Sequence, residues 1–268
     1  MPAAFREGEG PLLRVRDLSV RFGGIVALDR LTFDVERGAI VGLIGPNGAG
    51  KTTLFNCLSR LYDPAGGEIE FAGRSLLGLA PHAIAAAGIG RTFQNLALFR
   101  SLPVFENVML GGHCRARSGF LAHATRLPRA QREEREAAER AEVLVDLLQL
   151  GRVAREPVSA LPFGTQKRVE LARALASDPR LLLLDEPASG LNHEEVGELV
   201  AVIRDIRDRL GVTVLLVEHH MSLVMNVSDK VVALDFGRKI ADGPPALVRD
   251  DAEVIRAYLG TAPAGARH

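Results

Sequence analysis

Residues 39–52 read AIVGLIGPNGAGKT, an apolar run that ends in Gly45-Pro46-Asn47-Gly48-Ala49-Gly50-Lys51-Thr52 and fits G-x-x-x-x-G-K-[ST]. A short continuous apolar run marks a strand covered on both faces, and the stretch 51–60 that follows has helical spacing, so the glycine-rich turn falls where a strand passes into a helix. Glycine is needed there because backbone N–H groups must wrap phosphates closely, and a side chain would block the approach or demand a forbidden φ. Lys51 then neutralises the β and γ phosphates, and Thr52 offers its hydroxyl to Mg²⁺. The candidate nucleotide-binding residues are therefore Gly45, Pro46, Asn47, Gly48, Ala49, Gly50, Lys51, Thr52 and Thr53. No Asn-Lys-x-Asp guanine-reading motif occurs, which selects ATP over GTP.

Further along the chain, two more apolar runs end in chemistry. Leu181 to Leu184 deliver Asp185 and Glu186 to the carboxyl end of a buried strand, where open α/β sheets place their ligands. Asp185 is a candidate Mg²⁺ ligand, and Glu186, pointing to another side, is the candidate base for the attacking water. Residues 212–217 end in Glu218-His219-His220, so His219 emerges at the same sheet edge, in reach of a γ-phosphate.

The segments LRVRDLSVRF (13–22) and LTFDVE (31–36) alternate as half-buried strands do, and helical patterns occupy 166–178, 193–209 and 220–227. Strands alternating with helices predict an α/β fold with a parallel sheet. Between about 95 and 165 the strand signal disappears, and Ala137, Ala141, Leu144 and Leu148 form one face of a charged helix, which predicts a helical subdomain. Its polar face offers Arg132 with Glu136, Arg135 with Glu139 and Glu136 with Arg140 at four-residue spacing, a solvated surface.

Composition excludes several classes. Lys+Arg and Asp+Glu balance at 33 each in 268 residues, so net charge asks for no nucleic-acid partner. Cys57 and Cys114 have no CxxC spacing, which fits a reducing compartment and no structural zinc. The opening MPAAFREGEG has no signal-like apolar stretch, and no run approaches the roughly 18 apolar residues that a membrane span requires. Residues 115–132 carry Arg115, Arg117, Arg126, Arg129 and Arg132 without an acid, a solvated loop or a surface for anionic headgroups. His113, Cys114 and His123 match no ligand spacing.

Leu161-Pro162-Phe163-Gly164-Thr165-Gln166-Lys167-Arg168 upstream of the Asp-Glu strand, and Gln94 in GRTFQN, complete a series with Phe22, the phosphate loop, Ser189 to Asn192 and His219. In that order, from about residue 12 to 260, the chain resembles the ATP-binding subunit of an ABC transporter. The phrases GPNGAGKTTLFNCL, GRTFQNLALF, LLLLDEPASGLN, LVEHHMSLVM and VIRAYLG are similar to the branched-chain amino-acid importer type. The lipopolysaccharide-export ATPase shares the YLG ending and is one alternative; a soluble ABC ATPase without a permease is another.

The resemblance implies a P-loop NTPase (RecA-like) core with an antiparallel β subdomain over 1–94 and 166–268, and an inserted helical subdomain over 95–165. It implies a head-to-tail dimer with a copy or a paralogue, docked on permease subunits at the cytoplasmic face of the membrane and served by a substrate-binding protein. Phe22 would stack on adenine, Gln94 would join Thr52 and Asp185 around Mg²⁺ and share catalysis with Lys51, Glu186 and His219, and Pro162, Phe163, Gly164 and Thr165 would act on the partner's ATP. Against the usual Leu-Ser-Gly-Gly-Gln, Pro162 replaces Ser, Phe163 the first Gly and Thr165 the Gln. Pro162 costs a hydroxyl and an N–H that would face the γ-phosphate, which predicts slow turnover. Asn192 and His220 each stand where Asp is commoner.

Overall fold

A computed structural model describes residues 10–92, 96–115 and 128–259. Gln94, most of the arginine-rich insertion and His123 lie outside those residues.

Two sheets organise the chain. The first is antiparallel, with strand order β2-β1-β4-β5, made of β1 (Leu13–Phe22), β2 (Ile25–Val35), β4 (Gly66–Phe71) and β5 (Arg74–Ser75). β1 alternates as its sequence predicts, but register shifts between Val15 and Leu18 and again near Val20 twist it against β2. Asp17 takes up the first irregularity at φ 47°, the local cost of a bulge that bends a strand.

The second sheet has the order β10-β9-β3-β8-β7-β6. It contains β3 (Ile40–Ile44), β6 (Ile89–Arg91), β7 (Leu181–Asp185), β8 (Thr213–Val217), β9 (Lys230–Asp235) and β10 (Arg238–Gly243). The strands from β6 to β9 pair parallel, and β10 closes the edge antiparallel to β9. β3, β7 and β8 are buried throughout, as strands covered on both faces must be.

The period of two in β7 decides where the chemistry points. Leu181 and Leu183 pack into the cluster that holds Leu54, Phe55 and Leu58 of α1 (Lys51–Leu58). Leu182 and Leu184 pack into the opposite cluster with Val104, Leu144, Leu148 and Ile203. Asp185 shares the parity of Leu181 and Leu183, so it emerges on the side of α1 and the glycine-rich turn.

The opposite face is covered by α3 (Val104–Gly111), α4 (Pro128–Leu147) and α5 (Phe163–Ala176), whereas the short α2 (Ala83–Ala87) places Ile84 on the side of α1. α4 buries Ala141 and Leu144 on the predicted face and, just beyond the helix, Leu148. Arg132 meets Glu136 at 2.9 Å, whereas Arg140 reaches Asp178 at 2.9 Å, as does Arg115. α5 spans the point at which the sequence reading divides subdomain from core, so the helix that opens on Phe163 runs back to the sheet. The remaining helices are α6 (His193–Leu210), α7 (Met221–Val227), α8 (Pro245–Arg249) and α9 (Ala252–Leu259). Among the described residues no helix is long and apolar enough to cross a membrane.

Candidate nucleotide site

The turn between β3 and α1 holds its shape by internal bonds. Lys51 Nζ donates to the carbonyls of Gly45 at 2.6 Å and Pro46 at 2.9 Å, and the side chain is buried. Burial pulls the Lys51 ammonium below its ordinary pKa, while the charges of Glu186 and Asp185 oppose that fall. The lysine therefore lies within electrostatic reach of both carboxylates. Gly50, the N-cap of α1, sits at φ 100°, and a Cβ there would lie 2.6 Å from the carbonyl oxygen of Ala27. The first turn of α1 receives no side-chain cap from Gly50, and uncapped N–H groups at a helix start are the arrangement that binds phosphate. Thr52 is exposed and Thr53 half-buried at the helix start.

Asp185 is 2% exposed. One oxygen, Oδ2, accepts from Arg91 Nη2 at 2.9 Å; the other, Oδ1, is buried without a partner among the described residues. A buried carboxylate oxygen left unpaired is costly, and a divalent cation beside the phosphate loop would satisfy it, so the residues fit Mg²⁺. Arg91 also donates to Asn56 Oδ1 at 3.0 Å, Ser59 Oγ at 2.9 Å and the carbonyl of Phe55 at 3.3 Å, tying β6, α1 and β7 together. Sequence reasoning passed over Arg91, which lies 94 positions from Asp185 with no periodic pattern joining them.

Glu186 adopts φ 48°, a left-handed conformation that a residue with a Cβ enters only when its surroundings impose it. Its N–H is held by the carbonyl of Val217 at 2.9 Å and its own carbonyl accepts from Ser189 N–H at 3.1 Å, which turns the side chain out of the strand's alternation. His219 Nδ1 lies 3.9 Å from Glu186 Oε2, and the imidazole is half exposed. Glu218, unassigned by the sequence reading, is fully buried: Oε1 accepts from Ala188 N–H at 2.7 Å, Oε2 from the N–H groups of His219 at 3.0 Å and His220 at 3.2 Å. It therefore fixes the end of β8 to the loop after Glu186. The structure thus gathers Lys51, Asp185, Glu186 and His219 from distant parts of the chain around the phosphate loop.

Phe22 is exposed at the end of β1, its ring edge-on to Tyr62 with centroids 5.1 Å apart. α5 begins after Pro162, whose φ of −56° and ψ of 152° make it an N-cap with no side-chain bond. Phe163 packs where a Cβ on Gly190 would stand, 2.8 Å from its Cε1, and a Cβ on Gly164 would lie 2.3 Å from Glu195 Oε1. Pro162 is exposed and Thr165 half-buried. Asn192 caps α6: Oδ1 accepts from the N–H groups of Glu194 and Glu195 at 3.0 Å, and Glu195 Oε2 accepts from Asn192 N–H at 2.9 Å. Asn and Asp cap equally well, so Asn192 keeps this turn intact.

A parallel sheet with a glycine-rich phosphate loop, a carboxylate pair at a neighbouring strand end and an inserted helical unit defines a P-loop ATPase cassette. The chain belongs to the ABC transporter family: the model described as "ABC transporter" matches residues 28–189, and the one described as "Branched-chain amino acid ATP-binding cassette transporter" matches 238–264. It is an ATPase of that family, using ATP and Mg²⁺. It is 44% identical over 252 residues to the high-affinity branched-chain amino acid transport ATP-binding protein BraF of Pseudomonas aeruginosa, covering 94% of this chain and 99% of that one. The corresponding protein LivG of Escherichia coli is 42% identical over the same length, again with 94% and 99% coverage. A crystal structure of a nucleotide-free ATP-binding cassette from an ABC transporter superposes with a TM-score of 0.81 at 27% identity, covering 94% of this chain and 100% of that one.

Proposed function

We propose that this chain is the ATP-hydrolysing subunit of an importer for branched-chain or related amino acids, working at the cytoplasmic face of the cell membrane. The observation that carries the reading is likeness along nearly the whole length to branched-chain transport ATP-binding proteins, extending into a C-terminal segment of its own description. Its partners are a second ATP-binding subunit, two membrane permease subunits and, through them, a substrate-binding protein.

In this reading the loop from Gly45 to Thr53 wraps the phosphates, with Lys51 moving its ammonium from the carbonyls of Gly45 and Pro46 onto the β and γ oxygens. Thr52, Asp185 and Gln94 would hold Mg²⁺, and the ion would supply charge neutralisation for the phosphates. Glu186 accepts a proton from the attacking water, and His219 donates to the γ-phosphate; their separation of 3.9 Å supports roles at one reacting centre. Phe22 covers the adenine. Pro162, Phe163, Gly164 and Thr165 open α5 towards the partner's γ-phosphate, so two chains share each reaction.

Uptake of labelled leucine, isoleucine and valine tests this in cells lacking the chain's gene. Restoration by the wild-type gene and not by Glu186→Gln is the expected outcome. Unchanged uptake in the deleted cells, or restoration by Glu186→Gln, refutes the proposal.

A further inference from the structure

The phosphate loop is braced from outside by the C-terminal part of the chain. Gly237, in the turn between β9 and β10, donates its N–H to the carbonyl of Ala49 at 3.1 Å. Val254 of α9 is buried in the cluster that contains Ile44, the last residue of β3 before the loop. Tyr258 of the same helix accepts, through its hydroxyl, the N–H of Gly45 at 2.7 Å. The Gly45 carbonyl in turn receives the ammonium of Lys51 at 2.6 Å. One residue of the loop thus links the C-terminal helix to the lysine that must meet the nucleotide.

Gly45 has no freedom to be replaced or to turn aside. Its φ is 151°, and a Cβ there would lie 2.3 Å from the carbonyl oxygen of Leu234. With β9 against one side and Tyr258 on its N–H, the orientation of this residue is set by residues 234–258. Between α9 and the loop lies an open cavity of about 440 Å³ lined by Pro46, Asn47, Gly48, Glu253 and Arg256 among others. The Tyr258 bond stands beside that cavity and, with the packing of Val254 near Ile44, ties α9 to the start of the loop; partial burial raises the pKa of the phenol.

We propose that Tyr258 is a positioning residue for the phosphate loop: by holding Gly45 N–H, the C-terminal helix keeps the loop in the form that receives ATP, and so sets nucleotide affinity without touching the nucleotide. The bond preorganises a binding surface, and a preorganised surface loses less order on binding. The inference rests on the loop being the ATP site, which the wild-type measurement checks separately.

The test uses full-length Tyr258→Phe, which retains the ring and removes the hydroxyl, with Leu259→Ser on the same helix as the control. ATP affinity is measured by calorimetry on the full chain, and amide exchange is followed at residues 45–51. Tyr258→Phe is expected to weaken ATP binding about 3- to 10-fold, the range one neutral hydrogen bond spans. Exchange of Gly45 N–H should quicken by a similar factor, KM should rise with kcat held at saturating ATP, and Leu259→Ser should match the wild type. An unchanged affinity overturns the proposal, including the case in which the variant melts lower but binds ATP as before, because that outcome makes the bond a structural staple. Failure of wild-type protein to bind ATP overturns the ATPase reading instead.

Discussion

Replacing Arg91 by Met tests the packing logic of the site. The guanidinium and the Asp185 carboxylate are 9% and 3% exposed and 2.9 Å apart, and Arg91 also bonds Asn56, Ser59 and the carbonyl of Phe55. Methionine fills similar space but leaves Asp185 buried with neither oxygen paired among the described residues, since Oδ1 already lacks a partner there. Breaking one side of a buried pair costs about 3–5 kcal/mol, because the surviving charge stays desolvated. For a chain of this size each kcal/mol lowers the melting temperature by about 2–4 °C, so a fall of about 6–20 °C is expected. Thermal and urea unfolding of the nucleotide-free chain measure it. Adding Asp185→Asn to Arg91→Met removes the stranded charge and should recover about 2 kcal/mol or more relative to additivity. A loss below about 1 kcal/mol for Arg91→Met, or strict additivity in the pair, refutes the claim that this ion pair holds β6, α1 and β7 in register.

Pro162→Ser restores a hydroxyl and an N–H at the tip of α5; turnover in the assembled transporter should rise roughly ten- to a hundredfold, and an unchanged or lower rate discards the idea. The same change supplies an N-cap, so the isolated chain should gain about 1 kcal/mol, seen as a higher melting temperature. Cys57 is fully buried, its thiol pushed up to about 11, whereas Cys114 is half-buried. Thiolate is the reacting form, so iodoacetamide at pH 8 should label native Cys114 well before Cys57, and equal labelling contradicts the burial.

The elements whose signal is local were legible from the residues. β1 runs Leu13–Phe22, as its alternation predicts, and β3, β7 and β8 lie within their apolar runs. Their burial on both faces requires continuous apolar sequence, so pattern and structure carry the same information. The helix after the phosphate loop was equally plain, since glycine, lysine and threonine at fixed spacing state both the turn and its purpose. What escaped were long-range polar bonds and backbone bends. Arg91 to Asp185 joins residues 94 apart, and Tyr258 to Gly45 joins residues 213 apart. Neither arginine in a strand nor tyrosine in a terminal helix has a spacing that announces its partner. The left-handed backbone at Asp17 and Glu186 was illegible for a related reason: the surrounding strands impose it, at Glu186 against the residue's own preference. The capping role of Asn192 was within reach, because Asn followed by Glu at the third position is a cap signal, but the sequence reading weighed it only as a departure from Asp.

The central claim is that Glu186 takes the proton from water at the site built on Lys51 and Asp185. Glu186→Gln keeps the size of the side chain and removes the base, so phosphate release from Mg·ATP by the purified variant, read beside its ATP-dependent dimerisation in light scattering, tests it most directly. The account predicts tight ATP binding, accumulated dimers and phosphate release lowered by about two to four orders of magnitude. Phosphate release at the wild-type rate by that variant would contradict it and assign the base to another residue.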